Sequence, residues 1–128
     1  MANPRESADP QDFLPLPSSS FHVLLVLAES EKHGYAIMRE VERISDGAVR
    51  MGPGTLYGTI KRLLDLRMIE ESGERPDPDL DPGVSDSRRR YYRITGLGER
   101  VVTAEVRRLS TMIERSVMRR LTPRLGEA

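Results

Sequence analysis

Two stretches of this chain alternate like strands, MIEES from Met68 and RRRYYRIT from Arg88 to Thr95, and only the loop ERPDPDLDPGVSDS separates them. Every other stretch with apolar periodicity is helical. Two neighbouring strands make one hairpin and nothing larger, so helices must build most of the core, with the hairpin laid against them. The fold class expected is mainly α with a small two-stranded β-wing.

The helices follow from spacing. FHVLLVLAES is short and nearly all apolar, which marks a central buried helix, and Ser18, Ser19 and Ser20 ahead of it offer N-cap hydroxyls. His33-Gly34 breaks the chain, and YAIMREVERIS resumes with Ile37, Met38, Val41 and Ile44 at helical spacing. Asp46-Gly47 signals a turn, and residues 48–51 read as a short extended piece. Gly52-Pro53 opens a third helix, with proline at the first position, where its missing N–H costs nothing. Leu56, Ile60, Leu63 and Leu64 form its inner stripe; Gly54, Gly58, Lys61, Arg62 and Asp65 fall on the opposite side, with Thr55 at the edge.

Thr95 then caps GLGERVVTAEVRRLSTMIERSVMRRL, a helix expected to run to about Leu121 before Pro123. Val102, Val106, Leu109, Ile113 and Val117 draw one stripe along it, and the helix outruns the small body before it. A second copy of the chain is the expected cover, which makes these five the expected dimer interface. The division expected is a disordered N-terminal arm over 1–17, a DNA-binding body over 18–95, a dimerisation helix over 96–122 and a tail over 123–128.

Composition excludes several classes. The chain has no cysteine, so disulfides, thiolate metal sites and cysteine nucleophiles are absent. His22 and His33 are the only histidines and no carboxylate spacing accompanies them, so no metal is expected. The longest apolar run, Val23 to Ala28, is too short to cross a bilayer, and the first seventeen residues have neither a basic start nor an apolar centre. A cytoplasmic protein without cofactor is expected. GPGTLYG imitates a dinucleotide fingerprint, but tyrosine stands at 57 where glycine is required, and no other catalytic motif is present. No enzyme is expected.

Three helices, the third basic on its outer face, followed by a hairpin, form the layout of a winged helix-turn-helix. Its third helix would enter a DNA major groove, and the wing would reach a phosphate or a neighbouring minor groove. The formal net charge is zero, yet Arg88, Arg89, Arg90 and Arg93 crowd one strand, which suits a polyanion and is hard to justify in a core. The expected DNA-binding residues are Tyr35, Gly54, Thr55, Tyr57, Gly58, Lys61, Arg62, Arg88, Arg89 and Arg90. Alternatives stand beside them: the arginines as a solvated strand end paired with Asp81 and Asp86, Lys61 and Arg62 as an ordinary polar face, and Tyr35 and Tyr57 as packing residues.

HGYAIMREVE, GPGTLYGTIKRL and RRRYYRIT, in this order, resemble the PadR family of transcriptional regulators over roughly Phe21 to Thr95. The resemblance implies a homodimeric winged-helix repressor, joined through its C-terminal helix and bound to an inverted-repeat operator. It also implies a response to a small aromatic or cationic effector or to envelope stress. The chain departs from the pattern with Gly52 in place of a serine cap, Gly58 in place of a proline, a long acidic wing loop, and no tryptophan in the terminal helix to stack an aromatic effector. A winged-helix module for protein interaction is the rival reading. The loop from Glu74 to Ser87 carries Asp77, Asp79, Asp81 and Asp86, and is either a solvated linker or an internal competitor for phosphate.

Overall fold

A computed structural model of the chain describes residues 8–76 and 88–121. Its elements are a 3-10 turn over Pro10–Phe13, α1 over Ser18–Glu29, β1 over Lys32–His33, α2 over Gly34–Ile44, α3 over Pro53–Asp65, β2 over Ile69–Pro76, β3 over Arg88–Ile94, α4 over Gly96–Arg115 and α5 over Met118–Leu121. The arrangement is a winged helix-turn-helix with a long C-terminal helix.

α1 runs through the centre, as its all-apolar sequence demands: Val23, Leu24, Val26 and Leu27 are buried against Ile37 and Val41 of α2, Leu56, Ile60 and Leu63 of α3, and Leu97 and Val101 of α4. Its N-terminus differs from expectation. Pro17 is the N-cap and makes no side-chain cap bond, so the serines lie inside the first turn, with Ser20 buried. α3 begins as expected on Gly52-Pro53, with no side-chain cap. Residues 48–51 join no sheet, although Met51 enters the core.

The wing holds a third strand that the sequence does not announce. The sheet order is β1-β3-β2, with Lys32 opposite Tyr92 and His33 opposite Tyr91. Two residues are too few to show alternation, so β1 exists only because the α1–α2 connection lies along the open edge of β3. His33 belongs to that strand and also caps α2: its Nδ1 accepts from the Ala36 N–H at 3.1 Å, and its ring meets Tyr91 edge-on. β2 is longer than MIEES, reaching Pro76 by way of a bulge between Glu71 and Gly73, where Gly73 takes a φ of 114°. Glu74 to Pro76 therefore belong to strand rather than loop. Residues 77–87, with the acidic loop's four aspartates, lie outside the described residues.

Two further expectations change. Of the arm expected to be disordered over 1–17, residues 1–7 lie outside the described residues, whereas over 8–17 the 3-10 turn packs on α4, and Phe13, Leu14 and Leu16 rest against the core. Prolines that suggest a chain without structure here shape a turn whose apolar side chains have a surface to cover. The terminal helix stops at Arg115, where Ser116 leaves helical geometry and its Oγ bonds the Ile113 carbonyl, before α5 resumes. Thr95 caps α4 as expected, its Oγ1 accepting from Gly98 N–H at 3.1 Å.

Candidate nucleic-acid interface

The expected site residues occupy the start of α2, the outer face of α3 and β3. Tyr35 is exposed on α2, and Gly54, Thr55, Tyr57, Gly58, Lys61 and Arg62 are exposed on α3. Apart from their chain neighbours and the backbone of α3 itself, no heavy atom lies within 4 Å of where a Cβ would stand at Gly54 or Gly58, so this face of α3 is open. Arg88 and Arg90 are exposed and Arg89 is half-buried.

Tyrosines join these elements. The Tyr57 phenol packs on Gly34, where a Cβ would stand 2.8 Å from its hydroxyl, so α3 touches the first residue of α2. One residue further on, the Tyr35 ring has the guanidinium of Arg39 at 5.1 Å and that of Arg89 at 5.8 Å from its centre, distances within cation–π range. Wing and helix-turn-helix thus meet at Tyr35. Arg39 is not among the residues expected from sequence, although its place four residues after Tyr35 puts both on one helical face. On β3, Tyr92 is buried and burial raises its pKa, while Tyr91 is half-buried under the guanidinium of Arg75 at 4.3 Å.

The wing's charges are matched across its strands. Arg93 Nε donates to Glu70 Oε1 at 2.7 Å, and Arg90 lies 3.5 Å from Glu71 and 3.6 Å from Glu74. The Glu71 carboxylate chiefly, with Glu74, raises the Arg90 pKa. Arg75 pairs with Glu31, whose carboxyl is held below its ordinary range by that hydrogen bond. Sequence patterns do not reveal these partners, because register, rather than spacing along the chain, sets them opposite one another.

Residues 23–104 match the family described as Transcriptional regulator PadR-like family. The chain belongs to the PadR-like family of transcriptional regulators. PadR-like proteins are regulators of transcription rather than enzymes, and this chain is one of them. Among curated proteins it is 45% identical over 58 residues, 42% of this chain, to an uncharacterised 37.1 kDa transposon protein of Streptomyces fradiae. It is 31% identical over 78 residues, 60% of this chain, to an uncharacterised protein of Lysinibacillus sphaericus. The matches span 16% and 64% of those relatives' lengths. Among solved structures it resembles RosR of H. salinarum with a TM-score of 0.62, at 23% identity over 89% of this chain and 92% of that one. A transcriptional regulator from Clostridium thermocellum gives a TM-score of 0.60, at 20% identity over 81% and 89%. Bacillus subtilis PadR in complex with operator DNA gives 0.57, at 16% identity over 72% and 48%. These likenesses support the PadR-like fold.

The expected dimer residues divide, Val102, Val106, Leu109 and Ile113 lying on α4 and Val117 beyond its end at Arg115, so the stripe does not continue unbroken. Val106, Ile113 and Val117 are exposed at 42%, 40% and 56%, joined by Met112 at 52%, and Leu109 is half-exposed. Val102 is 5% exposed and belongs to the protomer's own core. Periodicity puts it in one stripe with the others, but the body covers the first turns of α4 and leaves the rest bare. Glu105, 2% exposed, is a buried carboxylate that nothing in the sequence singles out. Beyond it, α4 and residues 9–11 flank a groove of about 1090 Å³ whose walls include Arg100, Arg107, Arg108 and Met112. Among the described residues no helix is long and apolar enough to cross a membrane, and no cluster of three or more His, Asp or Glu could hold a metal ion.

Proposed function

We propose that the chain is a homodimeric repressor that binds double-stranded DNA at an inverted-repeat operator overlapping a promoter. The observation that carries this reading is the open outer face of α3, bare at Gly54 and Gly58 and edged by Thr55, Lys61 and Arg62, standing beside an arginine-bearing wing. A helix backbone without side chains at two positions can approach a groove closely, and an exposed glycine otherwise costs helix stability, about 1 kcal/mol against alanine. Arg88, Arg89 and Arg90 supply phosphate contacts, Lys61 and Arg62 face base edges, and Tyr35 and Tyr57 place hydroxyls at the rim. The operator complex of Bacillus subtilis PadR, a protein of the same fold, favours this use of the surface.

The bare apolar residues of α4 favour a second copy as their cover, which sets two recognition helices at half-sites about 10 bp or a multiple apart. A signal that moves α4 relative to the body relieves repression, and the groove between residues 9–11 and α4 is where a small effector would act on that joint. The protein works in the cytoplasm, with its DNA.

The test is a mobility shift of the intact protein on the duplex upstream of its own gene, repeated with Arg89→Ala/Arg90→Ala and Arg62→Ala. The wing variant should lose affinity for every duplex, and each lost phosphate contact should lower the slope of log affinity against log salt by about 0.9. Arg62→Ala should act on cognate sites, costing about 1–3 kcal/mol where it reads a guanine. A wild-type protein that binds neither this duplex nor any selected from a random library overturns the reading in favour of a protein-interaction module.

A further inference from the structure

Glu105 is the last buried residue of α4. Leu97, Gly98, Val101 and Val102 before it are buried, and from Val106 onward every described residue is exposed or half-exposed. At this exit point stands a carboxylate, 2% exposed. A buried charge is costly unless its oxygens are engaged, and these are engaged by two separate partners. Oε1 accepts from Arg108 Nε at 2.5 Å, and Oε2 accepts the backbone N–H of Leu16 at 2.7 Å, a partner 89 positions away in sequence. The Arg108 bond chiefly, aided by the Leu16 N–H, holds the carboxyl below its ordinary pKa against the effect of burial. Phe13, Leu14 and Leu16 rest against the core, so the segment that Glu105 grips is itself anchored to the body.

The carboxylate therefore ties α4, at the point where it leaves the body, to the N-terminal segment, and that segment is in turn seated on the body through Phe13, Leu14 and Leu16. We propose that Glu105 is a positioning residue that sets the direction in which α4 leaves the body, and through it the separation of the two recognition helices on DNA; this rests on the dimer reading above. If dimerisation holds the outer turns of the two α4 helices together, each body pivots about its exit point. A tilt of about 10° moves a point of the body about 15 Å from that pivot by about 2.6 Å, close to the roughly 3.4 Å rise per base pair along the duplex axis. Small freedom at the joint is thus enough to blur the choice between half-site spacings one base pair apart. An apolar residue at 105 could fill the space, but it could not hold Leu16 and Arg108 by directed bonds.

The experiment uses the full chain and palindromic duplexes selected by the wild-type protein from a random library, remade with one or two base pairs added or removed between the half-sites. The wild type should discriminate among spacings by about tenfold or more, the scale of a mispositioned contact. Glu105→Gln keeps the size of the side chain but cannot accept from both partners; it should remain dimeric and keep its half-site sequence preference. Its discrimination between spacings should fall to about threefold or less, or its optimum should move by one base pair. Arg108→Gln, which leaves Glu105 in place, should move the profile in the same direction and carries the test if Glu105→Gln does not fold. Folded, dimeric variants with the wild-type spacing profile overturn the proposal and leave Glu105 a stabilising residue only. A wild-type chain that sediments as a monomer removes the dimer reading, and the proposal with it.

Discussion

Gly98, in the first turn of α4, lies directly under the Met68 carbonyl: a Cβ at position 98 would stand 2.1 Å from that oxygen. The same carbonyl accepts the Thr95 N–H at 3.0 Å, so it cannot retreat without breaking the junction between β3 and α4. Gly98→Ala should therefore destabilise the protein by about 3 kcal/mol or more, although alanine is the better helix former by about 1 kcal/mol. Gly34 is the control. Its neighbour is the tip of the exposed Tyr57 side chain, which can swing away, so Gly34→Ala should cost less than about 1.5 kcal/mol. Urea denaturation of both variants checks the ranking, and equal costs would contradict it.

If Arg90 meets phosphate as proposed, the carboxylates of β2 that pair with it should act as competitors. Glu71→Gln/Glu74→Gln should leave folding intact, because these pairs are exposed. It should tighten binding to random duplex at low salt by about two- to fivefold, the scale of exposed ion pairs. The gain should fade as salt rises. Titrations of random duplex at two ionic strengths check this; an unchanged affinity at low salt would show that Arg90 does not meet phosphate.

Acid should undo the Glu105 latch. A carboxyl whose folded-state pKa is lowered, here by Arg108 first and then by the Leu16 N–H, contributes stability that is complete above the unfolded pKa. With that unfolded value near 4.3, the contribution begins to fall below about pH 5 and is lost as pH passes down through the lowered folded value. Wild type should therefore lose melting temperature on acidification more steeply than Glu105→Gln, with the two curves converging at the acid end. Parallel curves between neutral and acid pH would place the titration elsewhere.

The bare apolar residues at the end of α4 and in the turn after it should report assembly. Ile113→Asp/Val117→Asp alters residues that are 40% and 56% exposed and should leave the protomer's core intact. Sedimentation should show a dimer for wild type and a monomer for the variant, whose operator affinity should fall by about a hundredfold as two half-sites no longer bind together. A variant that remains dimeric would move the interface off this stripe.

Much of the body is legible along the chain because it depends on local period and local chemistry. The apolar run from Val23 reads as a central helix; Gly52-Pro53 reads as the start of another; and the stripe of Leu56, Ile60 and Leu63 by its period puts Lys61 and Arg62 on the outer face. Thr95 is readable as a cap from its place ahead of an apolar-periodic segment. Other features depend on which distant segments meet, and no window of sequence contains that information. β1 is a strand only because β3 offers it an edge, and Arg90 finds Glu71 and Glu74 only through the register of the wing. Val102 and Val106 lie on one stripe, yet the body ends between them, so one is core and the other bare. Along the chain Glu105 looks like any surface glutamate of a charged helix. Its burial, and its bond to a backbone N–H near the other end of the chain, arise only because the N-terminal segment folds across α4 and leaves the carboxylate no water to face.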